Sequence, residues 1–187
     1  MNRSGSIAKR EGGNMASYYY LIASLPDLRS DGEMPISYEE FLAQCENNVS
    51  ESTYKLLKDL TLSSEKGPLV KEWFAMYQNL MGELNYQRSV KLGRPYLAEY
   101  DKDATTSQVA SAAMSAKNPL EAEKILLEYE FENLDSLVGL HSFDDIYLFG
   151  YAIKLKLLER QECFEQAKGK EEFKRLFDQV QQRVYSL

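Results

Sequence analysis

Histidine and cysteine are scarce in this chain of 187 residues, which contains one histidine, His141, and two cysteines, Cys45 and Cys163. His141 precedes a predicted helix start and has no partner that would complete a catalytic triad, so we interpret it as a loop residue. The cysteines lie far apart in helix-like patterns, which is typical of buried thiols rather than of a disulfide or a metal pair. The sequence therefore predicts no catalytic residue and no metal ligand.

The chain also lacks the glycine-rich motifs that bind phosphate groups. It contains neither a GxxxxGK[ST] loop nor a GxGxxG turn, which place backbone N–H groups around phosphates. We therefore predict that the protein is not an enzyme, binds no nucleotide or other cofactor and has no small-molecule substrate.

Positive charge and long apolar runs are limited as well. The 22 Lys and Arg residues are outnumbered by 29 Asp and Glu residues, and the net charge of -7 disfavours binding to nucleic acid or to an anionic membrane. No stretch approaches the roughly 20 apolar residues that cross a bilayer. We expect a cytoplasmic protein with no membrane span and no nucleic-acid partner.

The first residues differ in composition from the rest of the chain. Residues 1–15 are rich in Gly, Ser and charge and show no periodicity that could bury a face, so we interpret them as a flexible leader. Residues 16–187 are predicted to form a single all-helical domain, or two small helical halves that meet near residues 93–104, where Gly93 and Pro95 interrupt the pattern.

Helix signals recur along this domain. Ser37 and Glu40 have the spacing of a capping box, which predicts a helix from Tyr38. Proline is favoured in the first helical turn, so Gly67-Pro68 and Asn118-Pro119 are predicted to open two more helices. The other predicted helices lie at residues 17–25, 50–60, 105–117, from a Ser142–Asp145 cap to about Phe164, and 171–185. The pattern indicates an all-α fold, a compact multi-helix bundle whose central helix follows Ser142 and in which Trp73 is buried.

An acidic run from Glu121 to Asp135 raises the question of a di-iron carboxylate site. Such sites take Glu-x-x-His pairs from two helices, but position 138, three before His141, is valine. We interpret the run as a solvated face or as a docking surface for a basic partner.

Two segments carry a resemblance to a known family. The segments Tyr18 to Leu28 (YYYLIASLPDL) and Pro35 to Leu42 (PISYEEFL) resemble an uncharacterised bacterial family encoded in A/V-type ATPase operons. The resemblance extends through Asn118-Pro119 and the segment Phe143 to Phe173. The order of motifs is also distantly similar to the C-type central-stalk protein of A/V-type ATPases, known as the d-type protein in the vacuolar enzyme, with Tyr151, Lys154, Gly169 and Lys170 at corresponding places.

The resemblance implies a non-catalytic component of a bacterial A/V-type ATPase that is similar to the C-type central-stalk protein. Such a component would couple the D/F rotor shaft to the membrane ring, and would lie in the cytoplasm, peripheral to the inner membrane. The C-type protein is considerably longer, so an assembly or regulatory factor of the same ATPase is the alternative.

We also predict which residues bind the partner. Tyrosine supplies a large contact area with a polar tip, and exposed basic residues complement acidic surfaces. The residues predicted to border the docking face are Tyr18, Tyr19, Tyr20, Lys154, Arg160, Lys168 and Lys170.

Overall fold

The protein is built from α-helices. The computed structural model describes residues 15–97, 99–162 and 175, and within these ranges it contains seven α-helices and no strand. The helices are α1 (Met15–Ser24), α2 (Tyr38–Cys45), α3 (Glu51–Lys58), α4 (Val70–Lys91), α5 (Ala104–Ser115), α6 (Pro119–Val138) and α7 (Asp145–Glu162). The predicted all-α fold and compact bundle are confirmed for this part of the chain. The predicted leader, apart from Met15, which begins α1, lies outside the described residues, as does all but Arg175 of the predicted helix at 171–185.

Local capping bonds explain where several helices begin. The Ser37 hydroxyl accepts a bond from the Glu40 N–H at 3.2 Å, and the Glu40 carboxylate accepts one from the Ser37 N–H at 2.8 Å. This is the predicted capping box of α2. At α6 the Asn118 side chain accepts from the Glu121 N–H at 2.8 Å, and Pro119 occupies the first turn as predicted.

Two predicted helix starts are wrong in detail. Helix α4 begins at Val70 rather than at Pro68, because Leu69 adopts a left-handed conformation with φ 66° immediately before it. Helix α7 is capped by Asp144 rather than by Ser142: one Asp144 carboxylate oxygen accepts from the Tyr147 N–H at 3.1 Å, and the Asp144 carbonyl accepts from the Leu148 N–H.

The larger part of the core surrounds α7, which packs against α2, α3 and α6. Its buried residues are Leu148, Phe149, Gly150, Tyr151, Ala152, Ile153, Leu155, Leu157 and Leu158. A helix that is apolar on more than one side must be covered on more than one side, so the predicted central position of α7 is confirmed. Trp73 of α4 is fully buried in the same cluster, as predicted.

A smaller core lies between α4, α5 and α6. Ala110 and Ala113 of α5 are buried there against Leu80, Leu84 and Leu126, and their short side chains allow the helices to approach closely. Both α4 and α6 also contribute to the larger core. Whether the chain forms one domain or two halves stays a prediction. Within the described ranges, none of the helices combines the length and the apolarity that a membrane crossing requires.

Candidate interaction surface

Three aromatic side chains form an exposed group where α1 meets the loop before α7. Tyr20, Tyr19 and Phe143 are 74%, 52% and 47% exposed. The Tyr19 ring centroid lies 5.8 Å from that of Tyr20, in an edge-on contact, and 4.9 Å from that of Phe143. We call these three residues the aromatic corner. Adjacent aromatic rings that remain in water are typical of surfaces that bind another protein.

Helix α1 holds the aromatic corner in place because the two side chains that follow Tyr20 are buried. Leu21 and Ile22 belong to the core, next in sequence to the exposed Tyr19 and Tyr20. Beyond the helix, the Tyr151 hydroxyl of α7 donates a hydrogen bond of 2.9 Å to the Pro26 carbonyl. The end of α1 is therefore fixed against the central helix of the bundle.

Tyr18 differs from its two neighbours because its hydroxyl is used inside the protein. It is half-buried, and the hydroxyl donates to the Asp145 carboxylate in the first turn of α7. Burial raises the pKa of Tyr18 well above its ordinary value, and the hydrogen bond and charge of Asp145 raise it further. The phenol thus stays protonated, and Tyr18 ties α1 to α7 beneath the aromatic corner.

Lys154, predicted as a basic contact, bridges α7 and α6. Its Nζ lies 2.6 Å from a carboxylate oxygen of Asp135 and 5.0 Å from the centre of the Phe131 ring. The Lys154 side chain is only 16% exposed, whereas that of Asp135 is 67% exposed. A partner that binds Lys154 through its charge would have to compete with Asp135.

Arg160 is held more firmly by two buried carboxylates of α6. Its Nε donates to Glu123 at 2.6 Å, and its two terminal nitrogens form a bidentate pair with Glu130, one of them at 2.9 Å. Glu123 and Glu130 lie seven positions apart and therefore share one face of α6. The side chain of Glu130 is fully buried and that of Glu123 is 7% exposed, so the interpretation of the acidic run as a solvated face is wrong for these two residues.

The protonation of this cluster follows from its burial and its pairing. Burial raises the pKa of Glu130, and the hydrogen bonds and charge of Arg160 offset part of that rise. For Arg160, burial alone would lower the pKa, but the hydrogen bonds and charges of Glu130 and Glu123 outweigh it and raise the pKa. The guanidinium therefore remains charged and binds α7 to α6.

Among the described residues of the predicted docking face, the two basic ones lie farther along α7 than the point where Tyr18 bonds to it. With a rise of about 1.5 Å per residue, Lys154 and Arg160 lie roughly 14 and 23 Å along α7 from Asp145, next to the aromatic corner. Lys168 and Lys170 lie outside the described residues. The partner-binding role of these residues stays a prediction, and among the described members Tyr19 and Tyr20 have the most exposed side chains.

Sequence reasoning missed Phe143 and its neighbour Leu140, which is fully exposed. Both lie in the loop between Gly139, the C-cap of α6 at φ 56°, and the capping residue Asp144. The sequence feature that could have indicated them is the presence of two large apolar residues in a short loop between helices, because a loop that serves only to connect helices is usually polar.

Potential metal ligands do not converge in the part of the chain that the structure describes. Among those residues, no group of three or more His, Cys, Asp or Glu side chains is placed to hold a metal ion. His141 lies in the exposed loop before α7, as predicted, with its Nδ1 in contact with the Asp144 carboxylate.

Comparison of the chain with protein-family models, with curated proteins and with solved structures finds no significant match.

Proposed function

We propose that this chain is a non-catalytic component of a bacterial A/V-type ATPase, similar to the C-type central-stalk protein, which couples the rotor shaft to the membrane ring. The proposal starts from the resemblance of Tyr18 to Leu28 and of Pro35 to Leu42 to the family encoded in such operons. The observation that carries it is the aromatic corner, since two of its three rings belong to the first of these segments.

A coupling component has to transmit force, so its docking surface must be joined rigidly to the rest of the fold. Tyr18 and Tyr151 bond the two ends of the α1 region to two different turns of α7. Arg160 and Lys154 then join α7 to α6 through three carboxylates. A load applied at the aromatic corner would therefore pass along two long helices, α7 and α6, rather than through a loop.

The test is affinity purification of the tagged chain from solubilised membranes of its native host, with mass spectrometry of the recovered proteins. We expect A/V-type ATPase subunits at a fixed ratio to the tagged chain. Replacing both exposed tyrosines, Tyr19→Ser with Tyr20→Ser, should reduce that recovery at least several-fold, because interface aromatics carry much of the binding energy. Leu92→Ser is the matched control, since Leu92 is 66% exposed but lies at the end of α4.

The outcomes separate the candidate roles. Recovery with intact ATPase supports a permanent component, and recovery with partial complexes alone would favour the assembly or regulatory factor. Absence of every ATPase protein from the wild-type preparation would refute the proposal, and equal loss with the control variant would refute the role of the aromatic corner.

A further inference from the structure

Three tyrosines form a closed triangle of ring contacts at the far end of α4. Tyr86 lies on α4, and Tyr96 and Tyr100 lie between α4 and α5. The three pairs of ring centroids are 6.1 to 6.2 Å apart, so that each ring contacts the other two. We call Tyr86, Tyr96 and Tyr100 the tyrosine triangle. All three residues are half-buried, and each keeps part of its surface in contact with solvent.

The backbone of α4 is shaped to receive one of these rings. Gly82 is buried, and a Cβ placed on it would lie 2.8 Å from both Cβ and Cγ of Tyr100. Any larger residue would displace Tyr100 from the helix. Glycine in the middle of a helix is destabilising relative to alanine, so the position of Tyr100 comes at a cost to α4.

A buried carboxylate supports the triangle from the protein side. Glu83 is 3% exposed and accepts hydrogen bonds from the Tyr100 hydroxyl at 2.6 Å, from Gln87 at 2.8 Å and from Ser107 at 2.9 Å. Burial acts to raise the pKa of Glu83, but these three bonds, together with the charge of Lys102, outweigh it and lower the pKa. The Glu83 carboxylate therefore carries a negative charge and is hydrogen-bonded to the hydroxyl group of one ring of the triangle, Tyr100.

A cation already lies on the triangle. The Lys102 Nζ is 3.9 Å from the centre of the Tyr86 ring and 5.7 Å from that of the Tyr100 ring. Both distances are within the range of a cation–π contact, in which the ring face attracts an ammonium or guanidinium group. Lys102 itself is exposed.

The triangle faces an open cavity of about 700 Å³ at the surface, which is also lined by the acidic residues Glu99 and Asp101 and by Lys102. We propose that this cavity binds an arginine or lysine side chain of a protein partner, and that Lys102 occupies the place of that side chain when the partner is absent. An unmethylated ammonium already fits the rings, and Leu97, next to Tyr96, is 90% exposed and offers the apolar surface that a protein interface buries. The site is independent of the proposed role in an ATPase.

The competing explanation is that Lys102 acts only as a clip that holds the region before α5 against α4. The two explanations differ in the effect of removing Lys102. If Lys102 is only a clip, its removal would not make the rings bind an external cation more tightly. If Lys102 occupies a binding site, its removal would leave that site free for an external cation. An exposed cation–π contact contributes about 0.5 to 1 kcal/mol, so vacating it should tighten binding of an external cation about two- to fivefold.

The experiment is a titration of the full chain followed by ¹H–¹⁵N and aromatic ¹H–¹³C NMR. The probe is a capped pentapeptide Gly-Leu-Arg-Leu-Gly, and its control carries citrulline, the uncharged analogue, in place of arginine. The chains are the wild type, Lys102→Ala, Lys102→Ala with Tyr86→Leu, and Lys66→Ala, which removes an exposed lysine elsewhere.

We expect the arginine peptide to shift the resonances of the tyrosine triangle in the wild type, to bind Lys102→Ala about two- to fivefold more tightly, and to lose that binding when Tyr86 is replaced. Lys66→Ala should behave as the wild type. Equal shifts with the citrulline peptide, shifts that map away from the triangle, or affinity unchanged in Lys102→Ala would each overturn the inference. If Lys102→Ala disturbs the fold, the wild-type titration decides: absence of arginine-dependent shifts at the triangle refutes the site.

Discussion

Replacing Arg160 with methionine should destabilise the protein severely. The substitution keeps most of the length of the side chain but leaves Glu130, fully buried, and Glu123, almost fully buried, without their positive partner. Removing one member of a buried ion pair costs about 3 to 5 kcal/mol because the remaining charge is neither solvated nor paired. This is a large fraction of the roughly 5 to 15 kcal/mol by which most domains are stable.

The effect should also depend on pH, with a sign that follows from Glu130. Burial raises the pKa of Glu130, and Arg160 is the group that holds it down. A carboxyl group whose pKa is raised in the folded state contributes its full stabilisation of the fold below its unfolded-state pKa of about 4.3. That contribution is lost as the pH rises through the folded-state pKa. Without Arg160 the folded-state pKa of Glu130 rises further. The loss of folding stability caused by Arg160→Met should therefore be largest at pH 7 and shrink towards pH 5.

The assay is urea denaturation at both pH values, followed through the fluorescence of Trp73, which is the one tryptophan and is fully buried. Arg29→Met is the matched control, because Arg29 pairs with Asp31 at 3.1 Å while both side chains are at least 70% exposed. Its loss should cost less than about 1 kcal/mol. The triple variant Arg160→Met, Glu130→Leu, Glu123→Met should recover most of the stability, since apolar groups can replace a buried ion pair. If Arg160→Met loses no more stability than Arg29→Met, the assignment of Arg160 as a structural clamp is refuted.

Two further predictions concern the core. Gly150→Ala should destabilise the protein by about 1 to 3 kcal/mol in a thermal melt despite the higher helix propensity of alanine, because the new Cβ would lie 2.5 Å from Val138 Cγ2. Adding Val138→Ala should recover part of the loss, and a more stable single variant would contradict the packing of α6 on α7. In a Cys163→Ser background, Cys45 should resist Ellman's reagent at pH 8 until denaturant is added, since burial raises its thiol pKa to about 12. Rapid labelling of the folded protein would show that Cys45 is accessible.

The aromatic corner could be foreseen in part. The run of three tyrosines from Tyr18 indicated contact surface, but neither composition nor spacing distinguished Tyr18, whose hydroxyl bonds to Asp145, from Tyr19 and Tyr20, which face solvent. Phe143 joins them from a loop more than a hundred residues away. Which ring of a tyrosine run is buried depends on the helix packed against it, and the run itself does not encode that partner.

The helical class and several helix starts could be predicted from the sequence, because they depend on atoms only a few residues apart. The capping box of Ser37 and Glu40, and the cap formed by Asn118, are bonds over three positions that form wherever the chain is helical. The roles of the charged residues, by contrast, depend on contacts between helices that are distant in sequence. In the sequence, Glu123 and Glu130 belong to a run interpreted as a solvated face or a docking surface, and Arg160 was predicted to border the docking face. The bonds that pair them span 30 and 37 positions, and they exist only because the packing of α7 on α6 brings the guanidinium to the buried carboxylates.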